Sequence, residues 1–212
     1  MRIAVFIDYW NFVLTFEKKM AEEKKLVARY KSDIDWQVVG PLLANHACPV
    51  LSVDPKLLSY QGVYVYTSYD PANPSGEKFA RWANTWLNRQ PGVNVAIRER
   101  KRKSVQKCTT CHEDITHCPH DGCGQELRGT TEKGIDTLLV TDVIRLAVTD
   151  SYDSAVIVTS DADMVPAVQF VQQRGKKVIQ AGFPPGGQAL ATACWGSYDI
   201  KPLAGQLERQ RA

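Results

Sequence analysis

The chain has 212 residues, of which 44% are apolar and 23% charged, and its formal net charge is +3. That length allows one full-sized domain with a core of its own and room for an insert. The composition is that of an ordinary soluble globular protein, and no apolar run is long enough for a helix to span a bilayer.

Residues 2–8, RIAVFID, predict a buried first strand that ends in an acid. The aspartate and the lack of a small-residue cleavage site distinguish this segment from a signal peptide, so a cytoplasmic protein is expected. Residues 10–31 open with an apolar stripe (Phe12, Val13, Phe16, Met20) and then turn charged, predicting a helix that runs out into solvent. Residues 35–44 predict a second helix, kinked or broken by Pro41. The alternating, β-branched and aromatic run 62–70 predicts a strand, and DPANPSGE predicts a loop. Residues 77–90 predict a helix with Phe79, Trp82, Ala83, Trp86 and Leu87 on one face. Aromatics at that spacing are read as core. A strand is expected at 93–100.

Residues 101–131 break the pattern, because hydrophobic periodicity vanishes and Cys, His and Gly dominate. They are read as an insert within a single domain spanning 1–212. The alternation then resumes: a helix at 136–148 with Leu139, Val143, Leu146 and Ala147 on one face, a strand at 155–159, and a helix at 164–174. Pro166 is tolerated in the first turn of that helix and Gly175 closes it. A strand KKVIQAG and a short helix follow. Strands alternating with helices predict an α/β fold with a mainly parallel sheet covered on both faces.

Ligands bind such sheets at the carboxyl ends of the strands. Asp8 ends the first strand, and Asp161 and Asp163 follow the strand at 155–159. If these strands are neighbours, their acids converge. A single acid at a strand end often caps a helix, and Asp163 fits that role for the helix beginning near 164. The surplus of acids, with Asp136 at a helix start, points further. Clustered carboxylates repel unless a cation neutralises them, and oxygen-only ligands select Mg²⁺ or Mn²⁺, which suits phosphodiester hydrolysis. Asp142 lies six positions beyond Asp136, about 240° around a helix, so the two do not share a face and Asp142 reads as a surface acid. Asn11 either orients a ligand or caps the following helix. Thr159 and Ser160 are candidate donors around the site.

The run 98–107, RERKRKSVQK, holds six Lys or Arg and one Glu. It reads either as a solvated strand end or as a phosphate-contacting patch made of Arg98, Arg100, Lys101, Arg102, Lys103 and Lys107. Directly after it, CTTCHEDITHCPHDGC places four of the six cysteines, Cys108, Cys111, Cys118 and Cys123, in sixteen residues. A C-x₂-C knuckle and a second pair can close a tetrahedron around structural Zn²⁺, with His112, His117 or His120 as possible replacements for one thiolate. In a reducing compartment metal is favoured over disulfides. The insert then serves as a substrate-gripping finger, a dimerisation element or a loop brace.

Three blocks, FIDYWNF (6–12), EKGIDTLLVTDVIRLA (132–147) and VIVTSDADMVPAVQFVQQRGKKVI (156–179), resemble the signature blocks of the NYN family, the LabA-like branch of the PIN-like nucleases. The resemblance implies a PIN-like three-layer α/β/α sandwich and a metal-dependent ribonuclease site. Carried over residue by residue, it makes Asp8, Asn11, Asp136, Asp161 and Asp163 catalytic and the four aspartates metal ligands. The cysteine insert departs from the minimal family pattern. The expected function is an Mg²⁺- or Mn²⁺-dependent ribonuclease acting on RNA, endonucleolytic rather than exonucleolytic, with DNA still open because metal chemistry at phosphate is indifferent to the sugar. A homodimer is one use of the insert. The alternative is a non-catalytic RNA-binding or regulatory module built on the zinc insert and basic strand. A haloacid-dehalogenase-type phosphatase is set aside, because the second residue after Asp8 is Trp10 and not an acid.

Overall fold

The computed structural model describes residues 1–26, 30–103, 105–120, 122–125, 127 and 129–209. The first helix ends at Glu23, short of the predicted 31, and positions 27–29 of the predicted extension lie outside these residues. Strand β1 (Arg2–Asp8) leads into helix α1 (Tyr9–Glu23), and helix α2 (Trp36–Leu51) leads to β2 (Ser59–Tyr69). Helix α3 (Pro74–Thr85) and a 3₁₀ turn (Leu87–Arg89) connect to β3 (Val93–Glu99). The chain then leaves the sheet through short strands β4 (Lys101–Arg102), β5 (Gln106–Lys107), β6 (Asp114–Ile115) and β7 (Thr130–Thr131). It returns through α4 (Ile135–Val148), β8 (Ser154–Val158), a 3₁₀ turn (Ala162–Met164), α5 (Val165–Gln173), β9 (Lys177–Gly182), α6 (Gln188–Ala193), β10 (Gly196–Asp199) and α7 (Ala204–Leu207).

The main sheet has six strands in the order β10-β9-β8-β1-β2-β3, and every pairing is parallel. Side chains alternate across it, as a strand's period of two requires. Ile3, Val5 and Ile7 join a core with α1, α2 and Leu207, whereas Ala4 and Phe6 join a second core with α4, α5 and Leu190. Both faces are therefore covered, which explains the near-continuous apolar runs of β1 and β8. The fold is the expected three-layer α/β/α arrangement.

Local rules and tertiary packing disagree at α2. Pro41 and Pro49 both lie inside this helix, which runs on to Leu51 instead of breaking. An interior proline costs about 3 kcal/mol. Against that cost, Val39, Leu43, Ala44, Ala47, Cys48 and Leu51 are buried in the first core, and packing of one face outweighs local propensity. The edge strand β10 was not foreseen, because Gly196–Asp199 is short and mostly polar.

Among the described residues, no helix is long and apolar enough to cross a membrane.

Candidate active site

The chain runs from β1 outward through β2 to β3, then returns to the other side of β1 as β8 and proceeds to β9 and β10. The order reverses between β1 and β8, whose register pairs Ile7 with Val158. A crevice opens at the carboxyl ends of strands flanking such a reversal. Asp8 ends one of these strands, and Thr159, Ser160 and Asp161 follow the other, so the parallel pairing brings them together.

Each group is held by short-range hydrogen bonds. Asp8 caps α1, its Oδ1 accepting from the Asn11 N–H at 3.2 Å, while Thr159 Oγ1 donates to Asp8 Oδ2 at 3.3 Å. Asn11 is not the cap. It sits in the first turn of α1, and its side-chain oxygen accepts from both the N–H and the hydroxyl of Ser160 at 3.0 Å. Asp161 N–H donates to Thr159 Oγ1 at 3.2 Å, and Asp161 Oδ1 accepts from Asp163 N–H at 2.9 Å. The cap at this end of β8 is thus Asp161 and not Asp163, because a 3₁₀ turn starts at Ala162, ahead of the α-helix. Asp163 is exposed. Behind the loop, buried Gln180 on β9 donates to the carbonyls of Thr159 (3.0 Å) and Gly187 (3.2 Å).

Asp136 stands in the first turn of α4, after Gly134, whose φ of 82° turns the chain into the helix. Asp142 lies elsewhere on α4 and accepts from the Tyr66 hydroxyl at 2.9 Å and from Arg145 at 2.8 Å, so it is tied down away from this edge.

Asp8 and Asp136 are both shifted by their surroundings. Burial pushes the Asp8 carboxyl up to about 6; the Asn11 N–H and the Thr159 hydroxyl oppose the rise, and Asp136 and Glu132 add to it. Asp136 is held above the ordinary carboxylate range by loss of surrounding water, then by Glu132, Asp161 and Asp163. Glu132 is the group sequence reasoning missed. It bonds to the Ser68 hydroxyl and pairs with Arg100 at 3.5 Å. Arg100 in turn donates to Ser68 Oγ at 2.9 Å and lies over the Trp10 ring at 5.5 Å. Arg100 is therefore turned inward, unlike the rest of the predicted basic patch. The available signal was the E-K-G-I-D spacing, which sets a second acid four residues before Asp136.

An oxygen-only donor set in which Asp8 and Asp136 are held above the ordinary carboxylate range, partly by neighbouring acids, has the chemistry that a hard divalent cation relieves. Among the described residues, however, no three His, Cys, Asp or Glu side chains are gathered tightly enough to hold a metal ion as placed. That statement covers the four aspartates and the four cysteines alike.

Lys101, Arg102, Lys103 and Lys107 are exposed and line a hollow of about 940 Å³ with Val105 and Lys133, while Arg98 is exposed at the end of β3. The β4–β7 pairing ties both ends of the insert together, and the β5–β6 ribbon carries Cys108 and Cys111 at its turn. Thr110 N–H points at Cys108 Sγ at 3.5 Å. Backbone N–H groups of Cys111 and Thr110 pull the Cys108 thiol down to about 7, the direction that favours a thiolate ligand. Cys118 and Cys123 lie on a second turn, where Cys118 N–H donates to Gln125 O at 2.8 Å and Cys123 N–H to His120 O at 3.1 Å. All four cysteines are unpaired thiols.

In shape the chain is similar to a crystal structure of a protein of unknown function from Vibrio parahaemolyticus RIMD 2210633, with a TM-score of 0.51. The two share 18% identity over 94% of this chain and 92% of that one, so the likeness concerns the fold alone. No curated protein matches the chain. Residues 2–201 match the NYN domain, a member of the PIN-like nuclease superfamily, whose enzymes generally use divalent metals. The match takes in all three blocks and every candidate acid, and the chain belongs to the NYN domain family.

Proposed function

We propose that the protein is a divalent-metal-dependent ribonuclease of the LabA-like branch, cutting RNA internally in the cytoplasm. The observation that carries this reading is that Asp8 and Asp161 are tied to the same Thr159 hydroxyl where the strand order reverses, with Asp136 and Glu132 adding to the rise of the Asp8 carboxyl. Asp8, Asp136 and Asp161 would hold Mg²⁺ or Mn²⁺, with Asp163 in support. The ion, when bound, neutralises negative charge on the scissile phosphate and activates water. Asn11 holds Ser160 and hence the start of the Asp161 turn, while Arg100 partly neutralises Glu132. Arg98, Lys101, Arg102, Lys103 and Lys107 would grip phosphates on the approach. Cys108, Cys111, Cys118 and Cys123 would hold a structural Zn²⁺ that braces this finger.

The test compares wild type with Asp161→Asn on labelled single-stranded RNA, duplex RNA and single-stranded DNA, in Mn²⁺, Mg²⁺ and EDTA. Asparagine keeps the cap while removing the charge. Metal-dependent RNA products lost in the variant support the reading. Cleavage that survives both EDTA and the substitution refutes it. A second reading, an RNA-binding module without turnover, rests on the exposed Lys101, Arg102, Lys103 and Lys107 that line one hollow. It predicts tight RNA binding, no products in any metal, and loss of binding in Lys101→Glu and Arg102→Glu.

A further inference from the structure

The face of α3 that periodicity assigns to the core goes only partly there. Ala80, Ala83 and Leu87 are buried, while Phe79, Trp82 and Trp86 stay partly open to solvent. Trp82 and Trp86 face α1 across a groove of about 640 Å³, with Tyr9 and Val13 on the opposite wall. Tyr9 and Val13 are one turn apart on α1, and Trp82, in the last turn of α3, is followed four residues on by Trp86, which caps that helix.

We propose that this groove is a binding site for an unpaired stretch of RNA, seating bases on its tryptophan and tyrosine rings and phosphates on Lys78, Arg81 and Arg209 as the strand leads to Asp8. The proposal rests on the ribonuclease reading of the Asp8 site.

Trp82 and Trp86 lie 5.7 Å apart at 18° and both stay partly open, whereas Tyr9 has one face closed by buried Trp36 at 5.5 Å and 16°, so the two tryptophans are the main platform. A base adds to such planes whatever its sequence. Lys78 and Arg81 are exposed on α3, and Arg209 lies over the Trp86 ring at 5.0 Å. Two acids, Glu17 and Asp33, also line the groove. Glu17 is two turns along α1 from Tyr9 and accepts from the Ser32 N–H and hydroxyl at 3.2 and 3.3 Å, and the Asp33 carbonyl accepts from the Arg209 N–H at 2.9 Å, so the acids share the Arg209 end and leave Lys78 and Arg81 as the main phosphate contacts.

One wall of the groove starts at the residue that follows Asp8. Tyr9 directly follows Asp8, and its ring meets the edge of Trp10 at 5.0 Å. Trp10 packs on Phe79 at 5.1 Å and lies beneath Arg100, the partner of Glu132. A duplex cannot use these platforms, because its base faces are covered by its own stacking. The geometry therefore selects single strands.

Binding is measured without cleavage, in EDTA, with the full-length Asp161→Asn protein and a short labelled RNA of mixed sequence, either single-stranded or annealed. Arg81→Glu and Lys78→Glu alter exposed positions, and Trp86→Ala removes a platform. Each is expected to weaken single-strand binding about tenfold, the worth of one stacked base or a few phosphate contacts, and to leave duplex binding unchanged. The two charge reversals also flatten the salt dependence. Variants that melt like the parent and bind single strands equally well overturn the proposal. So does an abasic oligomer that competes as well as RNA, since phosphate alone would then suffice. If wild type cuts nothing but groove variants lose binding, the ribonuclease reading fails and the groove stands. If wild type cuts RNA and groove variants bind and cut like the parent, the groove fails alone.

Discussion

The side-chain oxygen of Asn11 accepts two hydrogen bonds from Ser160, one from its N–H and one from its hydroxyl, both at 3.0 Å. These residues are 149 positions apart in the chain, and the contact fixes the start of the Asp161 turn against α1. Asn11→Ala removes the acceptor and leaves the Ser160 N–H to water, a loss of about 1 kcal/mol in stability. Cleavage should fall about tenfold or more, because a loose turn misplaces Asp161. Asn11→Asp keeps an acceptor oxygen, so its thermal stability should stay nearer wild type. Calorimetry on both variants, beside a cleavage assay, checks this; equal melting temperatures for Asn11→Ala and wild type would sink it.

Asp8 makes the fold less stable at neutral pH in metal-free buffer. Its carboxyl sits at about 6 in the folded protein against an ordinary value of 3.8. The folded state therefore holds a proton that the unfolded state gives up. The stabilising contribution is full below 3.8 and is lost as pH rises through 6. Asp8→Asn keeps the helix cap and removes the charge. In EDTA it should be more stable than wild type by about 1–3 kcal/mol at pH 7, and the gap should close near pH 4. Urea titrations at the two pH values measure it.

Adding Mn²⁺ should reverse that order. An ion that binds only the folded state stabilises it by mass action, by about 2.7 kcal/mol at a hundredfold excess over its dissociation constant. Wild type should gain and Asp8→Asn should not. A thermal shift of equal size in both proteins would mean that the ion binds elsewhere.

Arg100 and Glu132 form a pair that the Ser68 hydroxyl joins from both sides. Arg100→Ala should destabilise by about 1–2 kcal/mol, with Glu132 left facing Asp8 and Asp136 uncompensated. In a Glu132→Gln background the same change should cost less, because the stranded charge is gone. A double-mutant cycle reads this coupling directly, and additive effects would rule out the pair as an energetic unit.

The difference between what could and could not be read from the sequence follows sequence separation. Strands β1 and β8 announce themselves as unbroken apolar runs because both sheet faces are covered, and their terminal acids followed from that. The tie of Glu132 to Ser68 spans 64 residues and that of Arg100 to Ser68 spans 32, and no local pattern encodes either. Pro41 misled for the reverse reason: the local rule was sound, but burial of one face of α2 outweighed it. The aromatic stripe of α3 had the right period, yet alanines and a leucine beside it take the deepest positions. Periodicity finds the inward side of a helix but not how far each residue sinks.

Two glycines with similar backbones should respond differently to alanine. Gly134 has φ +82° and open space around it, so Gly134→Ala costs only backbone strain, about 1 kcal/mol. Gly187 has φ +75°, and an added Cβ would meet Gln180 Nε2 at 2.4 Å and Ser160 Cα at 3.0 Å. Gly187→Ala should cost clearly more and should displace Ser160, lowering cleavage as well as stability. Similar stabilities for the two variants would contradict the close packing behind the active-site loop.

The insert should lose its shape without the rest of the protein noticing. Cys111 and Cys123 are exposed, Cys108 and Cys118 half-buried, and no described residue of 101–131 belongs to either core. A segment with so little apolar burial needs another source of stability, and metal–thiolate bonds are the available one. Purified protein should carry about one zinc per chain by elemental analysis, the number one closed four-thiolate site takes. Cys108→Ser and Cys118→Ser should each lose it. The same variants should become sensitive to protease between 101 and 131, while the main thermal transition, set by the two cores, stays in place. Because the basic residues ride on this insert, RNA affinity should drop with the zinc, and the drop should shrink at high salt, where phosphate contacts count for less. Zinc-free wild type whose insert resists protease would show that hydrogen bonding of the two ribbons suffices.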